Sequence, residues 1–459
     1  MFLFGQAPGF IQHTIDLDFN GIHRVKVVDL DFDGDLDIVG GSEHTPYTTS
    51  KGLAWWRNDG GYPIIWTRFT IDLMYRHVMS VDVACINNDT FPDIVASSWE
   101  NGKLCWWQNS GDPTQNWIRH DIVNGWINAH DAQAYDIDDD GNMDVVGVSA
   151  GNNKIAVFYN QGGVIPTWDE QVVTAGFYHA LSATIADLNS NGYPDIIGAA
   201  DGADAIAWWD NLGGNPIDWQ QFTIASSFSG SARTDAIDIN LDDQPDILGV
   251  GWEGNEIAYW ICNDITTNSW TKNIITDQLV MASDARGRDI DLDDDIDIVA
   301  IGKVPGKLVI YVNDNFVFTK HILNPDLQGA GGLAVVDLDQ DGDQDIIAGS
   351  GIDGDLYFYE NTTIVGIADP ISKQQTSGFS VFPNPASRYV TISADYPENE
   401  TLSCRIYTTE GNLVDQRELN PENNKINQRL DVTFLPAGVY LIVIFSGDFQ
   451  RSAKIVIHP

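Results

Sequence analysis

Aspartates crowded into a nine-residue run are the side chains in this sequence best placed to do chemistry. The pattern is D-x-D-x-D-G-x-x-D, intact in Asp29-Leu-Asp31-Phe-Asp33-Gly34-Asp35-Leu-Asp37. Side chains at positions 1, 3, 5 and 9, with the carbonyl of position 7, offer oxygen donors only. Hard, mixed carboxylate and carbonyl donors favour Ca²⁺. Glycine at position 6 permits the positive φ of a sharp turn. Metal-free Asx turns are the alternative, but they leave the repulsion among four or five close carboxylates uncompensated.

The run recurs along the chain with different completeness. Asp136, Asp138, Asp140 and Asp144, with the Asn142 carbonyl, form one complete loop. Asp289, Asp291, Asp293 and Asp297 form another with Asp295, and Asp337, Asp339, Asp341 and Asp345 a further one with Asp343. Asp238, Asn240, Asp242, Gln244 and Asp246 keep most of the set. Asp187, Asn189, Asn191, Tyr193 and Asp195 replace two carboxylates by amides. The second copy departs most, with Cys85, Asn87, Asp89, Thr90 and Asp93. A thiol is a poor partner for a hard cation, so this loop is expected to lack metal. The expectation is several Ca²⁺ ions, one per intact loop.

The spacing of the loops indicates what positions them. The last aspartate returns at Asp37, Asp93, Asp144, Asp195, Asp246, Asp297 and Asp345, at intervals of 56, 51, 51, 51, 51 and 48 residues. A unit of that length suits one four-stranded propeller blade with its loops. Each unit runs from an extended stretch (A) into the Asp loop, then a short apolar run (B). An aromatic strand follows (C, such as Leu53-Ala-Trp-Trp-Arg-Asn58), then a strand opening with Trp or Phe (D, such as Trp66-Thr-Arg-Phe-Thr-Ile71). The seventh unit stops after its C strand at Asn361, while a D-like segment, Phe10–Ile15, stands alone at the other end. The fold class is therefore all-β, a seven-bladed propeller over 8–361 closed by the N-terminal strand, which removes the open edge.

These repeats resemble the FG-GAP/VCBS family, whose best-known members are the integrin α-subunit head propellers. The resemblance implies the fold, but that family spans adhesion proteins, lectins and accessory domains of enzymes, so it leaves function open.

Composition narrows the classes. The chain has 459 residues, with 66 Asp plus Glu against 24 Lys plus Arg, for a net charge of −42. Nucleic-acid binding, which needs a positive footprint, is excluded by this balance, and adhesion to an anionic membrane is disfavoured. The seven loops hold 29 of the 66 acids, so much of the negative charge is loop charge rather than solvated surface. No apolar run is long enough for a transmembrane helix, and no membrane insertion is expected. Cys85, Cys105, Cys262 and Cys404 are too scattered for a disulfide framework. Residues 1–7 read either as the remnant of a signal peptide, with an apolar end and a small-x-small site, or as an ordinary terminus.

All 15 Trp precede residue 271, and residues 362–378 read as a linker. Residues 379–459 are expected to form a small β-sandwich, with strands Tyr389–Ser393, Leu402–Tyr407, Leu413–Glu418, Arg429–Phe434, Gly438–Phe445 and Arg451–Ile457. Pro383-Asn384-Pro385-Ala386, Ile406-Tyr407, Glu410-Gly411, Leu435-Pro-Ala-Gly-Val-Tyr440 and Lys454-Ile-Val456 resemble the type A sorting domain of the type IX secretion system. That resemblance implies export by the type IX machinery and a secreted or outer-surface location.

No H-E-x-x-H or P-loop is present. A binding or adhesion module for a glycan or protein is favoured, because the repeats are near-equivalent. The alternative is a polysaccharide lyase or hydrolase with its site at the channel. Alternation along the A strands places Arg24, Lys26, Asp82, Asp131, Arg233, Asp235, Asp284 and Arg286 on the channel face. Trp99, Trp126 and Trp252 do not fit the C and D strand patterns. They fall in B–C and D–A connections, at the end opposite the Asp loops, where His77, His130 and His179 open A strands. These six residues are the candidate ligand face, suited to stacking on sugar rings or grasping a peptide.

Overall fold

The computed structural model describes residues 9–43, 51–61, 63–362, 379–382, 386, 388–395, 401–408, 413–421, 425–436, 438–446 and 449–457. The expectations for residues 1–7 and, beyond Thr362, for the linker 362–378 lie outside the described residues, as do Pro383–Pro385, Glu410, Gly411 and Ala437. The chain forms two compact units, one covering the repeats and one the C-terminal segment.

The repeat unit consists of seven four-stranded antiparallel sheets. Six are formed by consecutive strands. The seventh combines Gly331–Val336, Asp345–Gly349 and Leu356–Asn361 with the N-terminal strand Phe10–Asp16. Phe10 pairs with Asn361, Gln12 with Tyr359 and Thr14 with Tyr357. The joint is reinforced by a 2.7 Å contact between His13 and Glu360 and by the His13 ring stacked on Phe358. Each innermost A strand packs against the A strand of the next blade, and Gly331–Val336 packs against Ile22–Val28, so the ring is closed.

Period-two alternation builds the core. The B strands are buried on both faces: Ile38 packs with blade seven and Val39 with blade two. Neighbouring tryptophans in the C strands likewise point opposite ways. Trp55 fills the interface of blades one and two, and Trp56 that of blades seven and one. Seven apolar clusters result, one at each interface between neighbouring blades.

The A–B turns share one backbone shape. Position 6 has positive φ in every blade, whether it is glycine (Gly34, 98°) or not (Thr90, 81°; Asp243, 66°; Asp294, 71°). Position 4 is also left-handed in all seven: Phe32, Asn88, Asp139, Ser190, Leu241, Leu292 and Gln340, between 56° and 62°. No residue type marks position 4, so the sequence carries no sign of it. Tertiary closure of the turn imposes a conformation that side chains with a Cβ resist.

In the second unit, Phe379–Phe382, Tyr389–Asp395 and Lys425–Asp431 form one sheet. Leu413–Leu419, Leu402–Thr408, Gly438–Ser446 and Phe449–Ile457 form the other. Val390, Ile392, Leu402, Ile406, Ile442 and Ile455 share one core between them. The strand expected at Arg429–Phe434 lies earlier, at Lys425–Asp431. The Asp431 carboxylate accepts the Thr433 N–H at 2.9 Å and turns the chain there.

Removing residues 1–16 is expected to expose the edge of Leu356–Asn361 and to produce aggregation in size-exclusion chromatography; an equally soluble, equally heat-stable truncation would contradict the closure. Leu241→Gly, at an exposed left-handed position, is expected to stabilise the fold by about 0.5–1 kcal/mol in denaturant titration; a loss of stability would show that the turn is not strained there.

Candidate functional site

The two ends of the propeller do different work, and the Asp-loop end is the repetitive one. Carboxylate oxygens gather within 4.8 Å in four groups among the described residues: Asp29, Asp31 and Asp33; Asp136, Asp138 and Asp144; Asp289, Asp291 and Asp297; Asp337, Asp339 and Asp345. These are the four loops with aspartate at positions 1, 3, 5 and 9, and each group can hold a metal ion. A buried oxygen of Asp29, Oδ1, has no hydrogen-bond donor, as a cation ligand requires.

The last aspartate is also structural. Its Oδ1 accepts the N–H of the residue closing the C strand in every blade, from Asn58 at 2.8 Å on Asp37 to Asn361 at 2.8 Å on Asp345. In six blades Oδ2 accepts the N–H of loop position 2, as that of Asp37 does from Leu30 at 3.1 Å. Burial pushes Asp37, Asp93, Asp144, Asp195 and Asp297 up to about 7 and Asp246 to about 6. Burial and then Asp297 and Asp293 raise Asp291 to about 7. A cation is the direct remedy for carboxylates so crowded.

Sequence reasoning missed the partner of this aspartate. Asn58, Asn109, Asn160, Asn211, Asn313 and Asn361 end six C strands. Each donates Nδ2–H to the carbonyl before the last aspartate, as Asn109 does to Pro92 at 3.2 Å. The signal was present: from blade two onward the partner lies sixteen residues after its aspartate. In blade four, Asn189 donates to Asp210 at 2.7 Å and Asn191 to the Asn211 carbonyl at 3.1 Å, so hydrogen bonds close that loop.

At the other end of the A strands lies a pocket of about 380 Å³. Its rim comes from one equivalent position, six residues past the last aspartate: Glu43, Trp99, Asp201, Trp252 and Lys303. The backbone of that position is uniform, with Trp99 N–H bonded to the His77 carbonyl, Trp252 to Gly230 and Lys303 to Met281, all at 3.0 Å. Only the side chains differ from blade to blade. A residue at the entry to each A strand, sixteen before the last aspartate, is left-handed in all seven blades, and His77, His179 and Met281 bring such positions to the wall.

A β-bulge then turns the next side chain inward. In all seven blades the A–B register skips the second A-strand residue; it is Gly332 in blade seven, and the other six are His23, Met79, His130, Leu181, Ala232 and Ser283. All six line the pocket. Strict alternation would have placed them between blades, and the bulge is what re-aims them.

Below them the A-strand polar face meets across the axis. Arg233 of blade five reaches Asp131 of blade three at 3.2 Å, and Arg24 of blade one reaches Asp284 of blade six at 3.8 Å. Arg286 contacts Asp284 at 3.3 Å, and Lys26 contacts Asp82 at 2.7 Å. Pairs between non-neighbouring blades confirm the channel-face assignment. Asp131 and Asp284 are fully buried, so the pocket has an ionic floor. Burial pushes Asp284 up, but Arg286, Arg24 and Arg233 outweigh it and hold the carboxyl below its ordinary value.

Five of the six candidate ligand residues, Trp99, Trp252, His77, His130 and His179, line this one pocket. Trp126 does not. It is buried in the core of blades two and three, edge-on to Phe158 at 5.2 Å with Lys154 Nζ above it at 4.6 Å. Its connection folds inward because Trp126 N–H bonds the Gly102 carbonyl. Trp99 stacks on His77 at 6.1 Å and meets His130 and His179 edge-on at 5.8 and 6.1 Å. His179 contacts Asp201, and Glu43 lies 3.6 Å from Lys303. Burial and then nearby arginines hold His23 and His130 well below the ordinary histidine value, so both are neutral. The offset that singles out Trp99 and Trp252 also reaches Glu43, Asp201 and Lys303, which sequence reasoning passed over because their types differ.

The FG-GAP-like repeat family matches residues 136–198, 187–249 and 289–348, and the secretion system C-terminal sorting domain family matches 380–458. No curated protein matches the chain in sequence. Among solved structures, a chain from the structure of BBS1N in complex with ARL6DN is similar at 10% identity, covering 77% of this chain and 97% of that one, with a TM-score of 0.49. A protein labelled a 6-phosphogluconolactonase in Bacteroides uniformis is similar at 12% identity, covering 64% and 82%, with a TM-score of 0.43. At these values neither likeness bears on ligand or activity. The sorting domain marks export by type IX secretion to the cell exterior or outer surface. The chain is a propeller of FG-GAP-like repeats carrying a secretion system C-terminal sorting domain.

Proposed function

We propose that this exported protein is a calcium-stabilised binding module that holds a glycan or protein ligand in the axial pocket. The observation that carries the reading is the convergence of Trp99, Trp252, His77, His130 and His179, from four blades, on one pocket. A pocket of about 380 Å³ with aromatic walls and a few fixed polar groups suits one or two sugar rings or a short peptide end. Binding is favoured over glycoside hydrolysis because both lining carboxylates are committed, Glu43 beside Lys303 and Asp201 on His179. Hydrolysis of a glycoside needs a pair of carboxyl groups available to the scissile bond.

Calcium is proposed in blades one, three, six and seven, where the carboxylate groups meet. Blade two is proposed to stay empty, since Cys85 replaces its first ligand. Blades four and five have amides in place of carboxylates and are proposed to bind more weakly.

Chelation is expected to lower the melting temperature, because Ca²⁺ binds the folded loops better than the unfolded chain. The pH dependence has a definite sign. The last aspartates are raised from 3.8 to about 7, so without metal the folded chain holds more protons than the unfolded one. Stability in chelator should fall from about pH 4 to about pH 7, and the calcium-induced gain should grow over that window. Scanning calorimetry showing no calcium effect at any pH would sink the metal assignment. At the pocket, Trp99→Ala with Trp252→Ala is expected to weaken binding of a glycan-array hit about ten- to a hundredfold with the fold intact; unchanged affinity would move the site elsewhere.

A further inference from the structure

The pocket floor holds donors with nothing to donate to. Arg233 is 5% exposed and lines the pocket. Its Nη1 contacts Asp131, but Nε and Nη2 are buried without an acceptor. Arg24 Nε is in the same state. A buried donor left unsatisfied is costly, and a guanidinium more so than an amide. Two such groups at one floor, from blades one and five, call for oxygens supplied from the open side of the pocket.

We infer that the pocket takes a carboxylate-bearing sugar residue of an acidic glycan, its carboxylate on the unpaired donors of Arg233 and Arg24 and its ring against Trp99 or Trp252. This deepens the proposed binding reading and rests on it. A carboxylate offers two coplanar acceptors, which suit the fork of a guanidinium. Burial and the nearness of Arg233 hold Arg24 down to about 9, a crowding of cations that an anion relieves. His130 Nδ1 lies 2.6 Å from the Leu181 carbonyl, which can only accept, so the neutral ring keeps Nε2 as an acceptor. Acceptors beside unpaired cationic donors match a ligand bearing hydroxyls and a carboxylate together. A peptide is the weaker fit. Each A strand is the inner edge of its sheet, but these edges face the axis, where the Arg233–Asp131 and Arg24–Asp284 pairs already cross, so an extended backbone has no clear edge to run along.

The test is titration calorimetry on the full chain with calcium. The ligands are trisaccharides of galacturonate, glucuronate, mannuronate and guluronate, their carboxyl-reduced counterparts, a sulfated trisaccharide and an acidic peptide. Binding of at least one uronate, with at least a tenfold loss on carboxyl reduction, is expected. Arg233→Lys keeps the charge beside Asp131 and removes the unpaired donors, and should weaken that uronate about ten- to a hundredfold while sparing the melting temperature. Should that variant misfold, the reduced sugars on the unaltered protein still decide. Equal affinity for reduced and acidic sugars, binding of the sulfated sugar or the peptide alone, or no binding of any uronate would each overturn the inference. A neutral sugar or peptide whose binding Trp99→Ala abolishes leaves the pocket reading standing; a uronate insensitive to both Trp99→Ala and Arg233→Lys would overturn the pocket reading itself.

Discussion

One buried carboxylate, repeated seven times, holds each blade in shape. The last aspartate of the loop accepts a backbone N–H from the residue at the end of the neighbouring C strand, and in six blades another from the start of its own turn. Those bonds fix the A–B turn against the C strand whatever stands at the intervening positions. Blade two shows the independence: with Cys85 and Thr90 in its loop, Asp93 still accepts from Ile86 at 3.1 Å and Asn109 at 2.7 Å. The framework is therefore separable from any cation the loops could hold, since blade two keeps the same bonds without the carboxylate set. The constraint has a physical side effect. Burial raises these carboxyls toward neutrality, and the acids packed round them add to it.

Because the Asp-loop end is occupied by this repeated device, variation collects at the opposite end. There the backbone is again uniform, with one left-handed residue, one bulge in each A strand and one rim position bonded to the strand below. The side chains on that backbone are His, Trp, Asp, Lys, Glu, Met and Ala. A sevenfold scaffold thus presents an asymmetric pocket, as a binding surface requires. The left-handed residues at its wall carry a local conformational cost that the surrounding sheets hold in place.

The repeat and its closure were legible because they rest on period and spacing. Aspartates at constant intervals and a stray D-like strand at Phe10–Ile15 lead to seven sheets and their joint without knowledge of packing. The channel face was legible from alternation, and Trp99 and Trp252 from their failure to fit the strand pattern. Three features were not. The bulge breaks alternation at one residue and leaves no mark in residue type, since His23, Met79 and Ala232 all occupy it. The left-handed position 4 is hidden for the same reason, with Phe32, Leu241 and Gln340 in equivalent places. Trp126 misled because a tryptophan outside a strand can turn into the core as readily as toward solvent, and its burial against Phe158 depends on a neighbouring blade.

The central claim is that the asymmetric end binds ligand while the Asp-loop end is scaffold. Hydrogen–deuterium exchange on the calcium-loaded full chain, with and without a saturating uronate trisaccharide, tests it most directly. The account predicts added protection confined to peptides holding the A-strand starts and the rim around Trp99, Asp201, Trp252 and Lys303, with the Asp loops unchanged. Protection confined to the Asp loops, or to the outer strands such as Trp66–Asp72, would contradict it.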